Sequence, residues 1–393
     1  MLDLAKNALL TVRQDFPESI TNTVSTPCYL ISEQVIRRNC RVLLDIQKKT
    51  GAKILLALKA FFLPDVFPVI REYLCGVCAS GLFEARAGKE FFGKEVHTFS
   101  PAYKKIEIEK IATYSTTLIF NSIHQLKTFV KLVKNINPHL QIGLRINPLY
   151  SEIEHKLYDP CQKSSRFGVL PQHFSQDIIP LLDGLHFHAL CEQNSDVLSR
   201  VIKAVEHHFG QYLPYLKWIN LGGGHHITRI GYDKDLLCEL IIYLQQKYNL
   251  QVYLEPGEAV VLNAGVLVSE VVDIVENDVS IAILDTSAEN HMPDVLAMPY
   301  RPQIIGAEEP FILPYTYRLG GITCLAGDII GDYSFHYPLK IGQKLVFTDM
   351  ALYSFVKNTW FNGLNLPALA ILRENEVKIV RKFSYDDFIQ KYT

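Results

Sequence analysis

Residues 53–59 read K-I-L-L-A-L-K, an apolar run that ends on a lysine. Runs of the same texture follow at 76–80, 96–100, 117–121, 141–147, 184–190, 217–221 and 251–255. Several are apolar on both faces, as parallel strands covered by helices on either side must be. Stretches with helical spacing of apolar residues lie between them, most clearly at 65–74, 82–92, 123–134, 197–209 and 233–248. Eight strand-then-helix units in about 230 residues predict an α/β fold, a closed (β/α)8 TIM-type barrel. A doubly wound open sheet is the alternative, and it does not need eight units.

After Pro256 the texture changes. Strand-like runs at 266–276, 279–285, 343–348 and 352–356 are punctuated by Gly and Pro, and helical spacing is scarce. This predicts a C-terminal, mostly antiparallel β domain. Residues 28–31 are also strand-like and precede the first helical pattern. The expected division is therefore a barrel over 32–264 and a β domain over 265–393 together with 1–31.

The chain has 393 residues, 48% hydrophobic and 20% charged, enough apolar material for a full core. A net charge of -2 without a long run of one sign gives no footprint for nucleic acid or an anionic membrane. An anionic ligand would need a local site. Residues 1–18 mix Asp3, Lys6, Arg13 and Asp15 with apolar residues and show no signal-peptide core. No run reaches the roughly 20 apolar residues that span a bilayer, and a cytoplasmic protein is expected. The 8 Cys show no disulfide-framework spacing. Cys75 and Cys78 form an isolated C-x-x-C, where a metal or redox role competes with two small residues near a strand.

Barrel enzymes place their chemistry at the C-terminal strand ends. Lys59 ends the first run, Arg145 and Asn147 the fifth. His186 and His188 lie on the sixth, Gly222, Gly223 and Gly224 follow the seventh, and Glu255 ends the eighth. Each alone is ambiguous. A lysine there is a snorkelling surface group or an amine nucleophile. Three glycines are a plain loop, or a turn whose N–H groups close on a phosphate. H-x-H puts both imidazoles on one face, for a metal, for stacking on an aromatic cofactor, or for packing; no carboxylate stands at ligand spacing. Glu255 is a salt-bridge partner or the partner of a protonated ring nitrogen. Together they match what pyridoxal phosphate needs: a phosphate cradle, an amine, a flat surface and a carboxylate that makes the ring an electron sink.

Further pieces stand in a fixed order: A-L-K-A around Lys59, A-S at 79–80, R-I-N-P at 145–148, R-F-G at 166–168, H-F-H-A at 186–189, L-G-G-G at 221–224, E-P-G at 255–257, G-I-T-C-L-A-G-D at 321–328, Y-S at 353–354 and F-N-G at 361–363. From about residue 26 to 365 the chain resembles the alanine racemase-like (fold type III) pyridoxal-phosphate enzymes, in their decarboxylase branch with ornithine, arginine and diaminopimelate decarboxylases. The resemblance implies that Lys59 carries the cofactor, His188 stacks on its ring and Glu255 pairs with the ring nitrogen. Gly222, Gly223, Gly224 and Tyr353 would hold the phosphate, with Arg145 among the cofactor contacts. Cys324 would be the general acid, delivered from the partner subunit of a homodimer with shared sites, and Asp328 would lie near the distal end of the substrate.

Two departures separate the chain from ornithine and diaminopimelate decarboxylases: Leu325, not an acid, follows the cysteine, and Glu258, not Arg, follows E-P-G. The runs H-M-P-D-V-L at 291–296 and M-P-Y-R-P at 298–302, with E-P-G-E and T-W-F-N-G, resemble the subfamily acting on carboxynorspermidine or carboxyspermidine. For such a polyamine-like amino acid, Glu258, Asp294, Asp328 and Glu289 are the expected partners of its ammonium groups. Arg301 faces the substrate carboxylate or a structural partner. The alternatives are a diaminopimelate or other basic amino-acid decarboxylase, a racemase, and a non-catalytic cofactor-binding regulatory homologue. A metal hydrolase using His186 and His188 is a further one, and no metal is expected.

Overall fold

The computed structural model describes residues 10–393. Residues 1–9, on which part of the signal-peptide and β-domain expectations fall, lie outside the described residues. The chain divides into two compact units: Arg38–Val260, and Val261–Thr393 with the residues up to Arg37. Among the described residues no helix is long and apolar enough to cross a membrane.

In chain order, β1 (Cys28–Ser32) belongs to the second unit. The barrel follows: β2 (Lys53–Ala57), β3 (Gly76–Ala79), β4 (Glu95–Phe99), β5 (Thr117–Phe120), β6 (Gln141–Arg145), β7 (Gly184–His186), β8 (Trp218–Asn220) and β9 (Gln251–Leu254). All neighbours are parallel, and β9 pairs back onto β2 to close the ring. The closed barrel is as the apolar runs predict. The ladders stop earlier than those runs, most of all at β7, because apolar pattern reports burial rather than pairing. Phe187, Ala189 and Leu190 lie beyond that ladder and are fully buried all the same.

Trp218, Leu55, Ile119 and Tyr253 pack together inside the barrel. Gly143 on β6 and Gly184 on β7 make room for the indole: a Cβ would stand 2.5 Å from it at Gly143 and 2.1 Å at Gly184. At the N-terminal end, Lys53 and His97 both meet Glu95, at 2.6 and 3.3 Å.

The strand-then-helix pattern needs correcting at two places. The run at 65–74 is only a 3-10 turn, Pro64–Val66, followed by the helical turn Phe67–Ile70. Between β6 and β7 the described chain forms 3-10 pieces alone, Lys156–Tyr158, Pro171–His173 and Gln176–Leu181. Pro148, Pro160, Pro171 and Pro180 fall in that stretch, and each removes a helix donor.

The second unit is a sheet of β1 with β10 (Gly265–Asn277), β11 (Val279–Leu284), β12 (Ala307–Glu308), β13 (Tyr315–Gly320), β14 (Ile329–Phe335), β15 (Lys344–Phe347), β16 (Ala368–Arg373) and β17 (Glu376–Arg381). Its order is β12-β14-β13-β11-β10-β1-β16-β17, with β15 also on β10. Only β1–β16 and β11–β13 pair in parallel. Val12, Phe16, Leu30, Val266, Val268 and Ala370 form its core. The expected strand at 352–356 is absent: Tyr353 has φ 45 and a 3-10 turn, Phe355–Lys357, follows. The hairpin β16–β17 was not expected; Glu374 and Asn375, both with positive φ, form its turn.

Candidate active site

Within the barrel unit the strand-end residues meet. Glu255 follows β9 and is 8% exposed. Asn220, the last residue of β8, donates from Nδ2 to Glu255 Oε1 at 2.7 Å. His186, the last residue of β7, places Nε2 3.2 Å from Oε2. Burial alone would raise the Glu255 pKa, but His186 and Asn220 outweigh it and hold the carboxyl at about 2. His186 in turn lies almost parallel to Phe99, 5.5 Å between ring centres. Burial lowers its pKa, working against Glu255.

His188 accepts at Nδ1 from the Gly223 N–H at 2.9 Å, which fixes its ring and tautomer. Burial, then the charges of Lys59 and Arg145, keep it neutral well below the usual histidine range. Arg145 donates to the His188 carbonyl at 3.3 Å and lies between the rings of Phe99 and Phe167, 4.6 and 4.5 Å away. Burial lowers its pKa to about 10. These contacts make Arg145 a brace for the His188 backbone.

The glycine loop is built for close approach. A Cβ on Gly222 would lie 2.3 Å from the Phe187 carbonyl oxygen, and on Gly223 2.5 Å from that of Glu255. Gly222 and Gly224 have φ of 72 and 79, which glycine alone adopts freely. The E-P-G segment lies against the end of β2: the Ala57 N–H donates to the Pro256 carbonyl at 3.1 Å, and a Cβ on Gly257 would lie 2.5 Å from Ala60.

Lys59 is exposed at this end. Cys78, the third residue of β3, responds to the charges of both Lys59 and Glu255. Burial and then Glu255 drive the Cys78 thiol pKa well up, while Lys59 draws it down. Cys75 lies before the same strand, its Sγ 3.1 Å from Gln47 Oε1. Three residues of near-extended chain, about 10 Å, separate Cys75 from Cys78, too far for the C-x-x-C pair to hold one metal or close a redox pair. Cys78, Asn220 and the orienting role of His186 were missed in the sequence. The strand-end rule that found Lys59 also covers Asn220 and Cys78, but the C-x-x-C pattern drew attention to spacing instead.

In the second unit, Cys324 is exposed, and its N–H donates to Asn362 Oδ1 at 2.6 Å. The cysteine loop and the F-N-G motif are thus one structure. Tyr353 occupies the bend before Phe355–Lys357.

Asp328 corrects an expectation. It is 3% exposed, and its carboxylate accepts from Ser287 Oγ, the N–H groups of Ala288 and Glu289, and both N–H and Oγ of Thr323, at 2.7–3.3 Å. Five donors use up a carboxylate's roughly four lone-pair positions. Asp328 pins the helix start that carries Glu289 to the loop that carries Cys324, and has no capacity left for a substrate ammonium. Arg301 takes the structural alternative: it pairs with Glu309, donates to the Asp332 carbonyl at 3.0 Å and lies over Tyr333. Asp294 pairs with Lys357. In the barrel unit Glu258 meets His226, which sequence reasoning did not single out, Oε2 to Nε2 3.0 Å.

A barrel carrying a lysine, a glycine cradle and an ionised buried carboxylate at one end, in a chain with a separate β unit, is the arrangement of one class of decarboxylase. The profile described as "Pyridoxal-dependent decarboxylase, C-terminal sheet domain" matches residues 28–351, and the chain belongs to this family of pyridoxal-dependent decarboxylases. It is 45% identical to a carboxynorspermidine/carboxyspermidine decarboxylase of Campylobacter jejuni, over 93% of this chain and 98% of the relative. It is 39% identical to a carboxyaminopropylagmatine decarboxylase of Synechocystis, over 93% of this chain and 95% of the relative. The crystal structure of carboxynorspermidine decarboxylase from C. jejuni, complexed with norspermidine, superposes with TM-score 0.87 at 43% identity, covering 94% of this chain and 100% of that one. Diaminopimelate decarboxylase from Helicobacter pylori, at 18% identity and TM-score 0.76, shares the fold.

Proposed function

We propose that the chain decarboxylates carboxynorspermidine or carboxyspermidine, yielding norspermidine or spermidine, with pyridoxal phosphate carried by Lys59. The observation that carries the reading is Glu255, kept ionised at about 2 by His186 and Asn220 on the strand-end ring that also holds Lys59. A carboxylate there suits a protonated pyridine nitrogen. The glycine cradle and the fixed, neutral His188 suit the phosphate and the ring face. When bound, the cofactor supplies an electron sink for the bond to the departing carboxylate.

The remaining work falls to the chain. Lys59 binds and releases. His188 and Gly223 orient the ring. Glu255 keeps the ring nitrogen's proton in place. Cys324 of the partner subunit returns a proton to the substrate's α-carbon, which makes a homodimer the working form. The substrate class rests on the C. jejuni relative and on Glu258, whose carboxylate suits a cationic chain. The Synechocystis relative supports a second reading, carboxyaminopropylagmatine, whose agmatine part ends in a guanidinium.

The test is carbon dioxide release from a panel of these three acids and diaminopimelate, on protein whose visible absorbance shows bound cofactor. Turnover fastest with carboxynorspermidine or carboxyspermidine supports the proposal. Turnover confined to diaminopimelate, or a loaded but inert protein, defeats it.

A further inference from the structure

The barrel holds a charge cluster that the proposed cofactor contacts do not use. Glu192, His226 and Glu258 follow β7, β8 and β9 in turn, and their polar atoms come within 4.8 Å of one another. Backbone bonds hold the first two loops together. The Gln193 N–H donates to the Gly224 carbonyl at 3.1 Å, and the His226 N–H to the Gln193 carbonyl at 3.4 Å. The cluster is therefore built into three adjacent loops.

It is also incomplete. His226 is 7% exposed, and its Nδ1 has no hydrogen-bond partner among the described residues. The imidazole bonds Glu258, and the Glu192 carboxylate lies close to both. Glu192 is exposed, yet desolvation of its carboxyl and then the Glu258 charge push its pKa up. A cation brought by a ligand would relieve that repulsion. Its position suits a substrate. Glu192, His226 and Glu258 follow the C-terminal ends of β7, β8 and β9 as Lys59 follows that of β2, so in this parallel barrel the cluster lies at the Lys59 end. The chemistry favours an ammonium over a metal ion. The Glu258 carboxylate accepts from His226 Nε2–H, so that nitrogen has no lone pair for a metal, whereas an ammonium needs only acceptors, and two carboxylates supply them.

We infer that Glu192 and Glu258, braced by His226, form a subsite for an ammonium group in the substrate's chain. The inference rests on the proposed substrate class and adds Glu192 as a specificity determinant, with His226 as a positioning residue.

The test compares wild-type holoenzyme with Glu192→Gln, Glu192→Asp and Glu258→Gln, using carboxynorspermidine as substrate and norspermidine as competitive inhibitor. Losing one charge-assisted contact should raise both KM and the norspermidine inhibition constant about tenfold to a hundredfold. The kcat should change little, cofactor absorbance should stay intact, and Glu192→Asp should recover part of the loss. Unchanged constants in a cofactor-loaded Glu192→Gln enzyme would overturn the inference while leaving the proposed function standing. So would Zn2+ that binds the wild type and not Glu192→Gln, with norspermidine affinity equal in both. A loaded wild type that turns over neither carboxynorspermidine nor carboxyspermidine removes the parent reading, and the subsite with it.

Discussion

His186 Nε2 stands 3.2 Å from Glu255 Oε2 while Asn220 Nδ2 stands 2.7 Å from Oε1, so each oxygen of the Glu255 carboxylate has its own donor from a neighbouring strand end. The two donors fix the plane of the carboxylate as well as its charge. Because the carboxyl is held at about 2, it stays ionised through the whole working range of pH. Glu255→Gln should therefore lower kcat about tenfold to a hundredfold, the loss of one ionic hydrogen bond in the reacting state. It should leave the acidic limb of the pH profile where it was. Steady-state rates from acid to neutral pH check both statements; an acidic limb that vanishes in the variant would assign that limb to Glu255 and contradict the second.

Lys59→Ala should abolish both the visible absorbance of bound cofactor and carbon dioxide release. Absorbance spectra after cofactor addition and gel filtration measure the first. A variant that keeps both activities excludes Lys59 as the carrier.

Cys324→Ala should keep cofactor absorbance and lose about a hundredfold or more in kcat, the usual contribution of a positioned acid. Since Cys324 is exposed and its loop is held through a backbone N–H on Asn362, the substitution should leave thermal stability nearly unchanged. Calorimetry alongside kinetics separates the two effects. Asn362→Ala should, by contrast, loosen the loop and lower kcat with Cys324 intact.

Glu95 makes the fold sensitive to acid. Burial opposes it, but His97 and Lys53 hold its carboxyl at about 2, below its ordinary 4.5. A carboxyl whose pKa falls on folding contributes stability that is complete above about 4.5 and is lost as pH drops towards 2. Glu95→Gln should thus cost on the order of 1–2 kcal/mol at neutral pH after allowance for solvent screening, and nothing at the acid end. Denaturant titrations across that range should show the two curves converging as the pH falls; parallel curves would deny the linkage.

Gly184→Ala should destabilise the protein by about 1–3 kcal/mol, the usual cost of overpacking. The new methyl would stand 2.1 Å from the Trp218 ring, inside a closed ring of strands that cannot widen at one point. Thermal or chemical unfolding measures it, and an unchanged midpoint would mean that the indole has somewhere else to go.

The barrel was legible because burial on two faces leaves an apolar run that neither loops nor surface helices imitate, and all eight runs mark strands. The candidate site follows the same rule: Lys59, His188 and Glu255 come one or two residues after a strand ends. What remained hidden depends on neighbours rather than on order along the chain. Nothing around Asp328 in sequence announces Ser287 or Ala288, which lie about 40 residues earlier and bond its carboxylate. Nothing around Arg301 announces Asp332. Glu192 and His226 belong to different loops, and only closure of the barrel makes them neighbours. The hairpin at Glu374 and Asn375 went unread because its turn carries neither Gly nor Pro.

The placement of Trp218 has a practical corollary. The chain has 2 tryptophans, Trp218 inside the barrel and Trp360 in the other unit. With Trp360 replaced by Phe, the remaining emission comes from the barrel interior alone, from an indole that is 1% exposed. The reciprocal variant reports on the sheet. A pair of single-fluorophore proteins would thus say whether the two units melt together or in turn, without any added label.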